Sequence, residues 1–262
     1  MEIRELVCRL KDVSETPTAD ARLLLKYAAD DLENAVKRRL KHEPIAKIIG
    51  RRGFWKSDFI TGPDVLDPRP DSEVMIEAVL SIFPNKDKPY RVLDLGTGSG
   101  CLLFSVLDEY PKSTGVGVDI SEKALKTAEQ NKKNRVSNLI LRDFMRTDWM
   151  KGLGQFDIII SNPPYIPTAD IENLAPDVRD YDPKVALDGG ADGLNAYRAL
   201  ARTVGAVMVP RARLFLEIGQ GQAQDVIALF ENEGFCHLQT VKDYGGIDRI
   251  LVFSYKSPVQ TG

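Results

Sequence analysis

Apolar and polar positions follow two different rhythms along this chain. Over residues 1–42 the apolar positions recur at helical spacing: Ile3, Leu6, Val7 and Leu10 form one stripe, and ADARLLLKYAA after Pro17 forms a second. The pattern predicts short amphipathic helices. About 40 residues bury little surface alone, so these helices are expected to pack against the rest of the chain. Residues 44–62, with their Pro, Gly and aromatic residues, read as an irregular or hairpin connector. From Tyr90 the rhythm becomes strand and helix in alternation. RVLDL runs as a strand into GTGSG and helical CLLFSVLDEY; strand TGVGVD, helix SEKALKTAEQNKK, strand NLILRD and strand FDIIISN follow. Helix GLNAYRALARTVGAV, strand RLFLEIG, helix QAQDVIALFENEG and two closing strands, CHLQTVK and RILVFS, complete the series. Repeated strand–helix units predict an α/β fold, a mostly parallel sheet covered by helices on both faces.

Composition narrows the classes of function. Lys and Arg number 35 against 38 Asp and Glu, a net charge of −3, which makes the chain a poor candidate for indiscriminate coating of nucleic acid. One local exception stands out. Residues 37–56 carry eight basic side chains (Lys37, Arg38, Arg39, Lys41, Lys47, Arg51, Arg52, Lys56) against the single acid Glu43. A solvated face is the simpler reading, and a docking patch for an anionic partner the sharper one. No run approaches the roughly 18 apolar residues of a spanning helix, so no membrane partner is expected. The first residues, MEIRELVCRLKD, offer no signal-peptide core, which points to the cytoplasm or an organellar matrix. Three widely spaced cysteines and two histidines supply neither a disulfide framework nor a metal-binding pattern, and no metal is expected.

The chemistry concentrates at strand ends. Asp94-Leu-Gly96-Thr97-Gly98-Ser99-Gly100 joins the first strand to its helix, where ligands of open α/β sheets collect. Cys101 falls where the dinucleotide fingerprint has its third glycine, and no Gly-Lys-Ser/Thr follows, so neither a dinucleotide nor a Walker loop fits. Asp119 ends the second strand, where a carboxylate accepts hydrogen bonds from both hydroxyls of a ribose. Asp143 and Phe144 end the third, placed for an adenine amino group and for stacking on its ring. Each acid alone would be read as a cap or turn residue. Together they suit a nucleoside bearing a cationic sulfonium better than a pyrophosphate, so S-adenosyl-L-methionine is the expected cofactor.

The fourth strand ends in Asn162-Pro163-Pro164-Tyr165. Two prolines stiffen the turn and leave its carbonyls free. The Asn162 oxygen and the Pro163 carbonyl can hold both hydrogens of a planar NH₂ group while Tyr165 lies against it. Such nitrogens are poor nucleophiles, and fixing both hydrogens aims the nitrogen at an electrophilic methyl. Arg69, between two prolines in LDPRPDSE, divides evenly between lining the site mouth and a structural role. Asp71 and Glu73 read as the acidic first turn of a helix begun by Pro70, and Ser121 as a helix N-cap. Glu217 and Gln220 read as structural, and His42 and His237 have no partner pattern.

DLGTGSG followed by NPPY resembles the amino-methyltransferases of the seven-stranded S-adenosylmethionine fold. With LDPRPDSE, ALDGGADGL, LFLEIG and GIDR, residues 40–255 are similar to the release factor N5-glutamine methyltransferases. The resemblance implies a Rossmann-like catalytic domain over 67–262, a small helical domain over 1–42 and a linker or hairpin over 43–66. It implies methyl transfer to the glutamine of a Gly-Gly-Gln motif in peptide chain release factors. Gly96–Gly100, Asp119, Phe144 and Asn162 would contact the cofactor, and Asn162–Tyr165 the glutamine amide. Phe144 stands where the family more often has Trp. Another acceptor remains open: a ribosomal-protein glutamine, or an adenine or guanine exocyclic amine, which presents the same planar NH₂. No stable nucleic-acid binding is expected; contact linked to the ribosome is left open.

Overall fold

The computed structural model describes residues 2–256. Four helices open the chain: α1 (Ile3–Leu10), α2 (Pro17–Tyr27), α3 (Leu32–Arg39) and α4 (Ile45–Ile49). Their apolar stripes meet in a core of their own around Leu6, Leu10, Leu24, Val36, Ile45 and Ile48. Pro17 sits in the first turn of α2, where its missing N–H costs no hydrogen bond. Gly50, in the left-handed region, ends α4 and leads into an antiparallel hairpin of β1 (Arg51–Phe54) and β2 (Ser57–Ile60). At its turn Trp55 adopts a φ of 53°. Its N–H is held by Glu73 at 2.8 Å and its indole by Glu109 at 2.9 Å, which offsets the strain of a bulky side chain there.

After α5 (Glu73–Ile82) come the strands β3 (Arg91–Leu95), β4 (Thr114–Asp119), β5 (Ser137–Leu141), β6 (Phe156–Ser161), β7 (Met208–Glu217), β8 (Phe235–Lys242) and β9 (Asp248–Tyr255). They form one seven-stranded sheet in the order β5-β4-β3-β6-β7-β9-β8. The first five in that order are parallel, and β9 runs antiparallel to both β7 and β8. The remaining helices are α6 (Cys101–Glu109), α7 (Glu122–Lys132), α8 (Pro176–Arg179), α9 (Asn195–Thr203) and α10 (Ala223–Asn232).

Alternation along each strand divides the core in two. Val92, Ile158, Ile160 and Phe215 pack with Met75, Val79, Leu103 and Phe104 on one face. Leu93, Leu95, Ile159 and Leu214 pack with Tyr197, Leu200, Val226 and Phe230 on the other. The Rossmann-like α/β architecture expected from the sequence is therefore the one observed. Among the described residues no helix is long and apolar enough to cross a membrane.

Topology places the site. β4 and β6 flank β3 on opposite sides, so the sheet has its switch point between β3 and β6, where a crevice opens at the carboxyl ends. Register then sets the contents of that crevice. Leu95 lies opposite Val118 and Ser161, and Ser161 opposite Leu216. Gly96, Asp119, Asn162 and Glu217 consequently leave four neighbouring strands in one row.

Candidate active site

The glycine loop is tied to the neighbouring strand by its backbone: the N–H groups of Gly96 and Thr97 donate to the Val118 carbonyl at 2.8 and 3.0 Å. Gly100, at φ 79°, could bear no side chain, since a Cβ would lie 2.3 Å from the Phe104 ring. Asp94 is buried beneath the loop and accepts the Thr97 hydroxyl at 2.7 Å. Burial pushes its carboxyl up to about 7. Asp119 accepts the Gly98 N–H on one oxygen and the Ser121 N–H on the other, both at 2.8 Å. Burial raises its pKa as well, and each oxygen keeps a lone pair for a ligand hydroxyl. Asp143 shapes the following turn by accepting the Met145 N–H at 2.8 Å, and Phe144 packs against the bare Cα of Gly96. Gly96, Thr97, Gly98, Asp119, Phe144 and Asn162 line a cavity of about 430 Å³, within the usual range for small-molecule sites.

A second cavity of about 380 Å³ lies beside it, lined by Tyr165, Asp71, Glu217 and Arg249 among others. Leu66, Arg69, Asn162 and Ala186 border both. The NPPY turn that carries Asn162 is fixed from several sides. The Ile166 N–H donates to the Leu187 carbonyl at 3.0 Å and the Gly189 N–H to the Ile166 carbonyl at 2.8 Å, and the Gln222 amide donates to the Tyr165 carbonyl at 2.9 Å. Tyr165 is wedged between two glycines: a Cβ on Gly193 would reach its carbonyl oxygen at 2.3 Å, and one on Gly219 its ring at 3.0 Å. The segments ALDGGADGL and LFLEIG therefore converge on this tyrosine. Burial pushes its hydroxyl up to about 12, so it stays protonated and serves as a flat wall.

Comparison with known proteins agrees with this geometry. Residues 72–175 match the model of the Methyltransferase small domain family. A release factor glutamine methyltransferase of Rhodospirillum rubrum is 46% identical over 236 residues, covering 89% of this chain and 71% of that protein. That of Caulobacter vibrioides is 41% identical over an alignment of 276 positions, covering 97% of this chain and 94% of its own length. The chain belongs to the release factor glutamine methyltransferase family. The 16S rRNA N2 G1207 methyltransferase of T. Thermophilus, solved in complex with AdoMet and guanosine, shares the fold at a TM-score of 0.55 and 18% identity. That match spans 79% of this chain and 50% of the other.

Within this release factor glutamine methyltransferase relative, most residues singled out from the sequence gather at the two cavities, and a few do not. Gly96, Thr97, Gly98, Ser99, Asp119, Asp143, Phe144, Asn162 and Pro164 border the first cavity, and Tyr165 the second. Asp94 and Gly100 border neither: Asp94 is roofed by the loop it braces, and Gly100 is the tight join to α6. Pro163 is likewise buried and borders neither, so its ring acts by stiffening the turn. Ser121 caps α7, accepting the Ala124 N–H at 3.2 Å.

The basic run follows its simple reading only in part. Arg39 and Lys47 are buried, and Arg38, Arg39, Arg51 and Lys56 pair with Glu43, Asp20, Asp58 and Glu109. The segment is thus divided: Arg39 and Lys47 are internal braces, Arg38, Arg51 and Lys56 make ion pairs nearer the surface, and Lys37 and Lys41 lie exposed as a solvated face would have them. Lys47 donates to the carbonyls of Gly62 and Val65 at 3.0 Å each and pairs with buried Asp182 at 2.8 Å. The other Asp182 oxygen takes Arg69 at 2.6 Å. Arg69 is therefore both a cavity wall and half of a clamp. Glu217 and Ser72 were not legible as site residues. Their signal lay in strand register: β7 lies beside β6, so Glu217 had to emerge next to Asn162.

Proposed function

We propose that this chain transfers a methyl group from S-adenosylmethionine to the side-chain amide nitrogen of the glutamine in the Gly-Gly-Gln motif of peptide chain release factors. The observation that carries the reading is Asn162, which stands in the wall shared by the two cavities. One compartment suits a nucleoside and the other a small planar group, and a group held by Asn162 meets both.

The first cavity fits the donor in three respects: its volume, the buried Asp119 carboxylate with open lone pairs, and the Phe144 ring beside the bare Gly96 backbone. Bound S-adenosylmethionine supplies a methyl on cationic sulfur, an electrophile that leaves a neutral thioether. The chain's own residues do the positioning. Asp119 receives the ribose hydroxyls, Phe144 and Ile120 flank the base, and the loop N–H groups keep backbone close without a side chain intervening. Asn162 Oδ1 accepts a hydrogen of the substrate NH₂ at the shared wall, buried Pro163 stiffens the turn that presents it, and Tyr165 confines the plane of the group. Holding a delocalised nitrogen face-on replaces a costly orientation step with a prepaid one. The proton displaced from nitrogen passes to water.

An exocyclic base amine would fit the same turn, but five of the eight basic residues that favoured nucleic acid, Arg38, Arg39, Lys47, Arg51 and Lys56, are taken up in ion pairs within the chain. Labelled donor, the purified chain and a release factor test the reading. Label is expected on the intact factor and not on one whose Gly-Gly-Gln glutamine is replaced; equal labelling of both would reject it.

A further inference from the structure

Asn162 faces a choice that its own geometry does not settle. An amide has an acceptor pole and a donor pole of nearly equal shape, and only the acceptor pole can receive the hydrogens of a substrate NH₂. The neighbours of Asn162 discriminate between the two. Asn162 Nδ2 lies 3.5 Å from Ser72 Oγ, and the Ser72 hydroxyl donates to Glu217 Oε2 at 2.5 Å. Glu217 is 2% exposed and lines the second cavity. Its strand end is pinned by the Tyr197 hydroxyl, which donates to the Glu217 carbonyl at 2.8 Å.

On the proposed reading of the reaction, we infer that Glu217 is a positioning residue that acts through Ser72 to set which pole of the Asn162 amide the substrate meets. A carboxylate only accepts, so it orients the Ser72 hydroxyl toward itself. The Ser72 oxygen is then left as an acceptor, and it draws the Asn162 NH₂ to its side. Asn162 Oδ1 remains the free pole. If Glu217 becomes a carboxylic acid, its O–H can donate to Ser72, the hydroxyl turns toward Asn162, and the amide is free to flip. The substrate NH₂ would then meet another NH₂. The 3.5 Å contact is long, so the preference is mainly one of polarity, and a bound acceptor can tighten it.

Glu217 sits where this switch falls near neutrality. Burial raises its pKa to about 7, against the pull of the Ser72 hydroxyl, the Arg249 guanidinium and the Asn162 amide. Arg249 on β9 and Asp71 beside Ser72 are the charged groups facing it. Tyr165 after β6, Tyr197 on α9 and Cys101 at the start of α6 complete its titratable surroundings.

The purified full chain tests this in two independent ways. With release factor and donor, the wild-type kcat should rise with pH through a midpoint near 7. Glu217→Gln should lower kcat about 10- to 100-fold and lose that limb, with the donor KM within about twofold. Ser72→Ala should lower kcat in the same way, and Ser72→Thr, which restores the hydroxyl, should recover most of it. A retained limb in Glu217→Gln, or unchanged kcat in both disruptive variants, overturns the relay. The side-chain ¹⁵NH₂ signals of Asn162 read the relay with no acceptor present. They should titrate with a midpoint near 7 in the wild type and stop titrating in Glu217→Gln; signals that never titrate also overturn it. Titrating signals without any release-factor labelling would instead reject the substrate assignment and leave the relay standing.

Discussion

Changing Asp119 to Asn alters one atom and separates donor binding from turnover. The carboxylate accepts the N–H groups of Gly98 and Ser121 at 2.8 Å each, and in the proposed complex it also receives ribose hydroxyls. Asn retains a single oxygen. Its NH₂ must face one of those two backbone donors, so one internal hydrogen bond, one ligand acceptor and the negative charge are lost together. A hydrogen bond to a charged group contributes about 1.5–3 kcal/mol. At about 1.4 kcal/mol per decade, the Kd for S-adenosylmethionine should rise roughly 10- to 100-fold. Isothermal titration calorimetry on the purified variant measures that rise directly. Asp119 borders only the first cavity, so kcat at saturating donor should stay within about threefold of the wild type. A Kd within about twofold of the wild type would refute ribose contact at this carboxylate, as would a fall in kcat at unchanged Kd.

Three further outcomes are expected. Asn162→Ala should keep the far-ultraviolet circular dichroism of the wild type and lose roughly 100-fold or more in turnover, because it removes the acceptor at the shared wall; near-normal labelling of a release factor would reject that role. Lys47→Met removes the cation between Asp67 and Asp182 (3.5 and 2.8 Å away). Among the described residues Asp67 then has no cation beside it and Asp182 only Arg69. Breaking a buried pair costs up to about 3–5 kcal/mol, so the urea midpoint should drop, and a loss below about 1 kcal/mol would contradict the clamp. Asp94, raised by burial from its ordinary 3.8 to about 7, binds its proton more tightly folded than unfolded. Between those values folding takes up a proton, so this group's contribution to stability falls as pH rises through the window. Asp94→Asn keeps a partner for Thr97 and abolishes that titration. Its thermal midpoint should therefore gain on the wild type as pH goes from about 5 to about 8, and a constant difference would show that Asp94 does not titrate there.

Local pattern carried the fold because each strand of the sheet announces itself by a short apolar run and each helix by a stripe. The runs around Leu93, Val116 and Ile159 are buried on the sheet as their sequence implied. The glycine loop and the NPPY turn were legible for a related reason: their backbone demands fall on contiguous residues. What stayed hidden depends on contacts between distant segments. Lys47 reads as one more charge in a basic run, and only folding brings it to Asp182, 135 positions away. Glu217 closes an apolar strand, and only the pairing of β6 with β7 sets it beside Asn162. Burial, which changes the proton affinity of Asp94 and Glu217, leaves no mark on the residue letters at all.

The Lys47 clamp bears on modularity. The opening helices look detachable, with their own apolar centre and a hairpin behind them, yet one of their lysines neutralises buried Asp182, which also holds Arg69 in the wall between the two cavities. Excising that bundle would strip the counter-ion from Asp182, so a minimal enzyme trimmed to the sheet should be crippled even with every motif residue in place. Chimeras made by grafting a relative's helical bundle would have to import a matching lysine along with it.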